Sequence, residues 1–94
     1  MRLCVERDEL FVLLDRGFGP SDALQIDEKV AAMGRLSRVT VDFSRALDFQ
    51  HAGLAALART LTRLREARVS VRGLSLHQTC VLQECVEDEA SARA

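Results

Sequence analysis

Four groups of residues in this chain are of types that could do chemistry. His77, Cys80 and Cys85 are the kind of ligand a zinc ion takes. His77 and Cys80 stand three apart and can share a helix face, but Cys85 lies five further on and turns away. No second His/Cys cluster completes a set of four, so no metal site is expected. Gly17-Phe18-Gly19-Pro20 precedes a helix, whose N-terminus could cradle a phosphate. It lacks both the Gly-x-Gly-x-x-Gly spacing and the Lys-Ser/Thr of a P-loop, and it reads as a turn. Asp42 and Asp48 flank the end of a strand, where α/β proteins place functional groups. No nucleophile, lysine or ligand set accompanies them. His51 stands just before a helix and could act as a nucleophile or proton shuttle, yet no second catalytic group pairs with it. The expectation is a chain with no catalytic residue and no cofactor.

The elements that position these residues follow from hydrophobic period. Leu3-Cys4-Val5 and Leu10-Phe11-Val12-Leu13-Leu14 read as a hairpin, its second strand buried on both faces. After the Gly-Pro turn, Ser21 or Asp22 is a natural N-cap. Ala23, Ile26, Val30 and Met33 then form one face of a helix that Gly34 ends. Arg38-Val39-Thr40-Val41-Asp42-Phe43 is a strand. An irregular stretch leads to a helix over 53–67, opening at Gly53, with Leu54, Leu57, Ala58, Leu61 and Leu64 as its apolar stripe. Val69–Leu74 is a further strand. Leu76–Val86 is a helix carrying Val81, Leu82, Cys85 and Val86 inward, and Glu87 to Ala94 frays as an acidic tail. The order is β-β-α-β-α-β-α. Strands separated by helices become parallel neighbours, which predicts an α/β fold: a four-stranded mixed sheet with its helices mainly on one face.

Composition narrows the function classes. At 94 residues there is room for one core. The expected division is a domain over 1–87 and a flexible tail over 88–94. With four Phe and no Trp or Tyr, the chain has no aromatic platform for single-stranded nucleic acid. A net charge of −1 also argues against a nucleic-acid binder. Charge is nevertheless uneven. Residues 1–34 carry four basic and seven acidic groups (−3), residues 35–72 eight and three (+5), and residues 73–94 one and four (−3). A basic middle third could complement an acidic partner. No apolar run reaches the roughly 18 residues of a membrane span, and the charged N-terminus does not read as a signal peptide. Three unpaired cysteines suit a reducing cytoplasm.

The stretch from Val39 to Leu57 resembles the signature of STAS domains, the anti-sigma-factor-antagonist fold. In that family a strand ending in Asp-Leu-Ser leads to an apolar pair, an Asp-Ser-Ser-Gly-Leu turn, and a helix of the Gly-Leu-x-x-Leu type. Here Asp42-Phe43-Ser44 matches the strand end and Gly53-Leu54-Ala55-Ala56-Leu57 the helix start, without a gap between them. Arg68 to Ser75 looks like the following strand and turn, and Leu13-Leu14-Asp15 like the edge of the second strand. The resemblance covers roughly residues 3–87. It implies a bacterial, cytoplasmic signalling module that binds protein rather than catalysing a reaction.

In the family the serine after the turn's Asp is phosphorylated by a partner kinase. At that place this chain reads Gln50-His51-Ala52, so the resemblance implies a lost phosphoacceptor, with His51 at the degenerate position. Ser44 and Thr60 are the hydroxyls that remain nearby. The partner would dock on the 47–53 loop and the helix after it. Leu47 and Phe49 would be its apolar anchors, Asp48, Gln50, His51 and Gly53 lie along the loop, and Arg59 and Arg63 form a polar rim. Two kinds of partner fit: a kinase-like anti-sigma factor, or the ATPase subunit of an ABC-type phospholipid transporter served by a small STAS subunit. An exposed edge strand near the N-terminus could support a homodimer.

Overall fold

Four short segments build the main sheet, two of them apolar runs and two alternating Val with polar residues. A computed structural model describes residues 1–64 and 67–93. Strand β1 (Arg2–Glu6) turns through Arg7 and Asp8 into β2 (Glu9–Leu13), and the two pair antiparallel with Glu6 opposite Glu9. Strand β3 (Gly17–Phe18) leads into helix α1 (Pro20–Met33). Strand β4 (Arg38–Asp42) lies parallel to β2, followed by β5 (Asp48–Phe49) and helix α2 (His51–Arg63). Strand β6 (Arg68–Arg72) lies parallel to β4, and helix α3 (Leu76–Arg93) closes the described chain. The main sheet has the order β1-β2-β4-β6, so the expected mixed four-stranded α/β architecture is present.

One face of that sheet supplies the core. Leu10, Val12, Val39 and Val41 are buried with Ala23 and Ile26 of α1, Leu54, Leu57 and Ala58 of α2, and Leu82 of α3. Helix α2 packs between α1 and α3. Strand β2 is therefore not buried on both faces as its apolar run suggested: Phe11, on the side away from the helices, is 38% exposed. Three helices cover one face of the sheet, and the other is left open.

Three further boundaries differ from the sequence reading, each for a physical reason. The N-cap of α1 is Gly19 rather than Ser21 or Asp22. Pro20 takes the first helical position, where its missing N–H and fixed φ cost nothing, and the Asp22 carboxylate accepts the Gly19 N–H at 3.0 Å. Helix α2 begins at His51, two residues before Gly53, and ends at Arg63, where the N–H of its C-cap Leu64 donates to the Leu61 carbonyl, short of the expected end at 67. Arg65 and Glu66 lie outside the described residues. Helix α3 continues past Val86 to Arg93, across the stretch read as a tail; Ala94 lies outside the described residues. Its start is set by a reciprocal cap. The Ser75 N–H donates to Gln78 Oε1 at 2.9 Å and the Gln78 N–H donates to Ser75 Oγ at 3.1 Å.

Gly73 is required by its surroundings. It has φ +82°, and a Cβ there would fall 2.2 Å from the Ser44 amide nitrogen. The turn after β6 thus lies directly on the end of β4, where the Phe43 N–H donates to the Arg72 carbonyl at 2.8 Å.

Candidate partner-binding surface

The segment between β4 and α2 is an ordered element, although its sequence reads as irregular. Strands β3 and β5 form a second, two-stranded parallel sheet with Gly17 opposite Asp48 and Phe18 opposite Phe49. The Leu47 N–H donates to the Arg16 carbonyl at 3.1 Å and the Gln50 N–H to the Phe18 carbonyl at 2.8 Å. A strand of two residues has no period to detect, so local pattern could not reveal this pairing.

This pairing separates the two residues read as apolar anchors. Leu47 is 86% exposed. Phe49 is instead half-buried: its ring lies 5.4 Å from that of Phe43, which meets Phe18 edge-on at 5.0 Å. Phe49 thus belongs to a three-ring stack at the margin of the core, and the expectation of an exposed Phe49 is corrected. Asp48 is exposed, and its carboxylate accepts the Phe49 N–H at 2.8 Å.

Gln50 is the N-cap of α2 and makes no side-chain cap; its amide group lies beside Gly19. His51 and Ala52 are exposed in the first turn. Gly53 is buried against Gly19. Of the remaining hydroxyls, Ser44 is exposed, whereas Thr60 is 2% exposed and donates to Asp27 Oδ1 of α1 at 2.7 Å. A kinase has no access to Thr60 in this state.

Further along α2, a groove of about 440 Å³ opens against α1. Ala23 and Ala56 are small there, Leu24 is 57% exposed, and the arginines expected at the rim, Arg59 and Arg63, both line it. Arg63 is ion-paired with Asp27 across the helices. Leu24 and Asp27 were missed from sequence, because they become neighbours of Arg59 only once α1 lies on α2; Ala56, three residues before Arg59 on the same helix, was within reach of helical spacing.

Elsewhere the candidate chemistry stays apart. At the end of β4, Asp42 accepts the Ser44 N–H at 2.8 Å. The Ser44 hydroxyl, this N–H, Arg72 and Arg45 together hold its carboxyl below the usual range. Burial pushes the Cys85 thiol up. Among the described residues, no three His, Cys, Asp or Glu side chains come together as a metal set. No described helix is long and apolar enough to cross a membrane.

The sheet order, the three helices on one face and the β5–α2 arrangement define a STAS-like fold. The chain is similar to the anti-sigma factor antagonist SpoIIAA in its unphosphorylated form. The likeness has a TM-score of 0.68 at 21% identity and covers 98% of this chain and 94% of that one. It is also similar to Mglu, with TM-scores of 0.60 and, for the native form, 0.57, each at 18% identity over 74% of this chain. The chain spans only 18% and 22% of those two Mglu chains. No family model and no curated protein matches the sequence.

Proposed function

We propose that this chain is a non-catalytic protein-binding module of bacterial regulation, acting as an anti-sigma-factor-antagonist-like protein whose phosphoserine switch has been lost. The observation that carries this reading is the exposure of Leu47 on a segment pinned by backbone hydrogen bonds to Arg16 and Phe18. With its backbone already fixed, a large apolar side chain in water gains its burial on docking at the cost of its own rotamer freedom alone, the behaviour of an interface anchor. The groove between α1 and α2 extends the surface, with Arg59 and Arg63 offering charge to an acidic partner.

The partner is a kinase-like anti-sigma factor, and docking proceeds without a phosphorylation step at 50–52. Gln50, His51 and Ala52 supply no hydroxyl, and Thr60 is enclosed. The chain acts in the cytoplasm, and its regulation rests with the partner.

The test is calorimetric titration of the chain into candidate anti-sigma kinases, wild type against Leu47→Asp and Arg59→Glu. Capture by the wild type that Leu47→Asp weakens by about 1–2 kcal/mol supports the reading. Equal affinity for all three proteins sinks this surface. Incubation with the kinase and ATP should leave the 47–53 peptide without a phosphate adduct in intact-mass measurements, and an adduct there would overturn the lost switch.

A further inference from the structure

The face of the main sheet turned away from the helices takes no part in the surface just described. Its side chains alternate with those of the core, and the register places them in rows across all four strands. The central row is Cys4, Phe11, Thr40 and Ser70. The row at one end is Glu6, Glu9, Arg38 and Arg68. In that row carboxylate stands directly opposite carboxylate and guanidinium opposite guanidinium, an unfavourable arrangement on a sheet surface. Only the boundary between the two doublets is compensated within the chain: Arg38 Nε lies 3.5 Å from Glu9 Oε1. Neither Glu6 nor Arg68 has an ion pair among the described residues.

We infer that this face is a self-association surface, occupied by a second copy of the chain packed sheet against sheet. Read across the sheet, the row is negative, negative, positive, positive, which is self-complementary. A two-fold axis lying in the interface and parallel to the strands sets β1 over β6 and β2 over β4 of the second copy. Glu6 then meets Arg68, Glu9 meets Arg38, and symmetry supplies the reciprocal pairs. Both like-charge doublets are relieved by one contact. The central row brings Phe11, 38% exposed, over Thr40, itself only 9% exposed, and Cys4 over Ser70. The apolar contribution beside the charged row therefore comes from Phe11 and Cys4.

The opposite end row, Arg2, Leu13, Asp42 and Arg72, works against the contact, because Arg2 falls over Arg72. Asp42, beside Arg72 in the register, offsets part of that repulsion. The face is also small: four five-residue strands make roughly 14 Å by 17 Å. That is far below the ~800 Å² per partner of a standard stable interface. The assembly is therefore weak and concentration-dependent.

Sedimentation velocity of the wild-type chain, from about 10 μM to about 1 mM in low salt, reads this directly. The mean mass should rise with concentration and fall back in about 0.5 M salt. Glu6→Arg/Glu9→Arg makes the row wholly positive, and Arg38→Glu/Arg68→Glu makes it wholly negative. Each variant alone should stay monomeric, and an equimolar mixture should associate again. A wild type that is monomeric throughout, with a mixture that does not associate, overturns the proposal. So does a wild-type dimer that both variants keep. Where a variant loses its circular dichroism, amide shifts of the wild type decide. Concentration-dependent shifts at Phe11, Thr40 and Ser70 support this face, and shifts confined to 47–53 place the contact elsewhere.

Discussion

Gly53 of α2 sits against the backbone of Gly19, so closely that a Cβ on Gly53 would lie 2.9 Å from the Gly19 carbonyl carbon. The atoms it would meet belong to the N-cap of α1 and cannot swing aside as a side chain can. Gly53→Ala should destabilise the fold by about 1–3 kcal/mol, the usual cost of overpacking. Urea denaturation measures it, and an unchanged midpoint would mean that the α1 N-terminus yields freely.

Leu47 and Phe49 should respond oppositely to truncation. Leu47→Asp changes an exposed residue and should leave stability within about 0.5 kcal/mol. Phe49→Ala opens the ring stack with Phe43 and should cost about 2 kcal/mol or more. Thermal unfolding of the two variants separates them. Equal stability would mean that Phe49 does not pack as described, and it would restore Phe49 as an interface anchor.

Thr60 and Asp27 tie α2 to α1. Removing only the carboxylate, by Asp27→Leu, strands the buried Thr60 hydroxyl and frees Arg63, at a cost of about 1–3 kcal/mol. Adding Thr60→Val to that variant should recover part of the loss, because the buried unpaired hydroxyl is then gone and only the half-exposed Arg63 lacks its partner. Strictly additive effects in the double-mutant cycle would deny the coupling.

Asp42 makes acid stability depend on Ser44. The folded carboxyl titrates below its ordinary value, the Ser44 hydroxyl being the first cause and the Ser44 N–H the second. The contribution is present above the unfolded carboxyl value of about 3.9 and is lost as pH falls through the lower folded value. Ser44→Ala keeps the N–H and removes the hydroxyl. It should move the Asp42 titration upward in carboxyl-detected NMR and shrink the loss of stability on acidification. A titration that does not move would assign the effect to the backbone donor and the two arginines, Arg72 and Arg45.

The architecture was largely legible from short-range pattern. The stripe Leu54, Leu57, Ala58, Leu61 and the β-branched run Val39-Thr40-Val41 each carry their period within one element, and the helix–strand alternation implied parallel neighbours. The surface was legible in part. Arg59 and Arg63, which helical spacing alone sets apart from the apolar stripe, line the groove, but the groove itself depends on α1 and was not read from sequence. The contrast between Leu47 and Phe49 was not, because two apolar residues in an unpatterned segment look alike until one finds an aromatic neighbour.

What the sequence determined by itself is therefore what neighbours in the chain decide: element type, the absence of any hydroxyl at 50–52, and a Gly-Leu helix start that resembles the antagonist fold. The tertiary structure decided everything that depends on register between distant segments. It paired β3 with β5, buried Thr60 on Asp27, and set Gly53 on Gly19. It also aligned Glu6, Glu9, Arg38 and Arg68 in one row of the open sheet. Side-chain period is a local property of one strand, whereas the charge facing a residue across a sheet is set by a partner that only folding brings near.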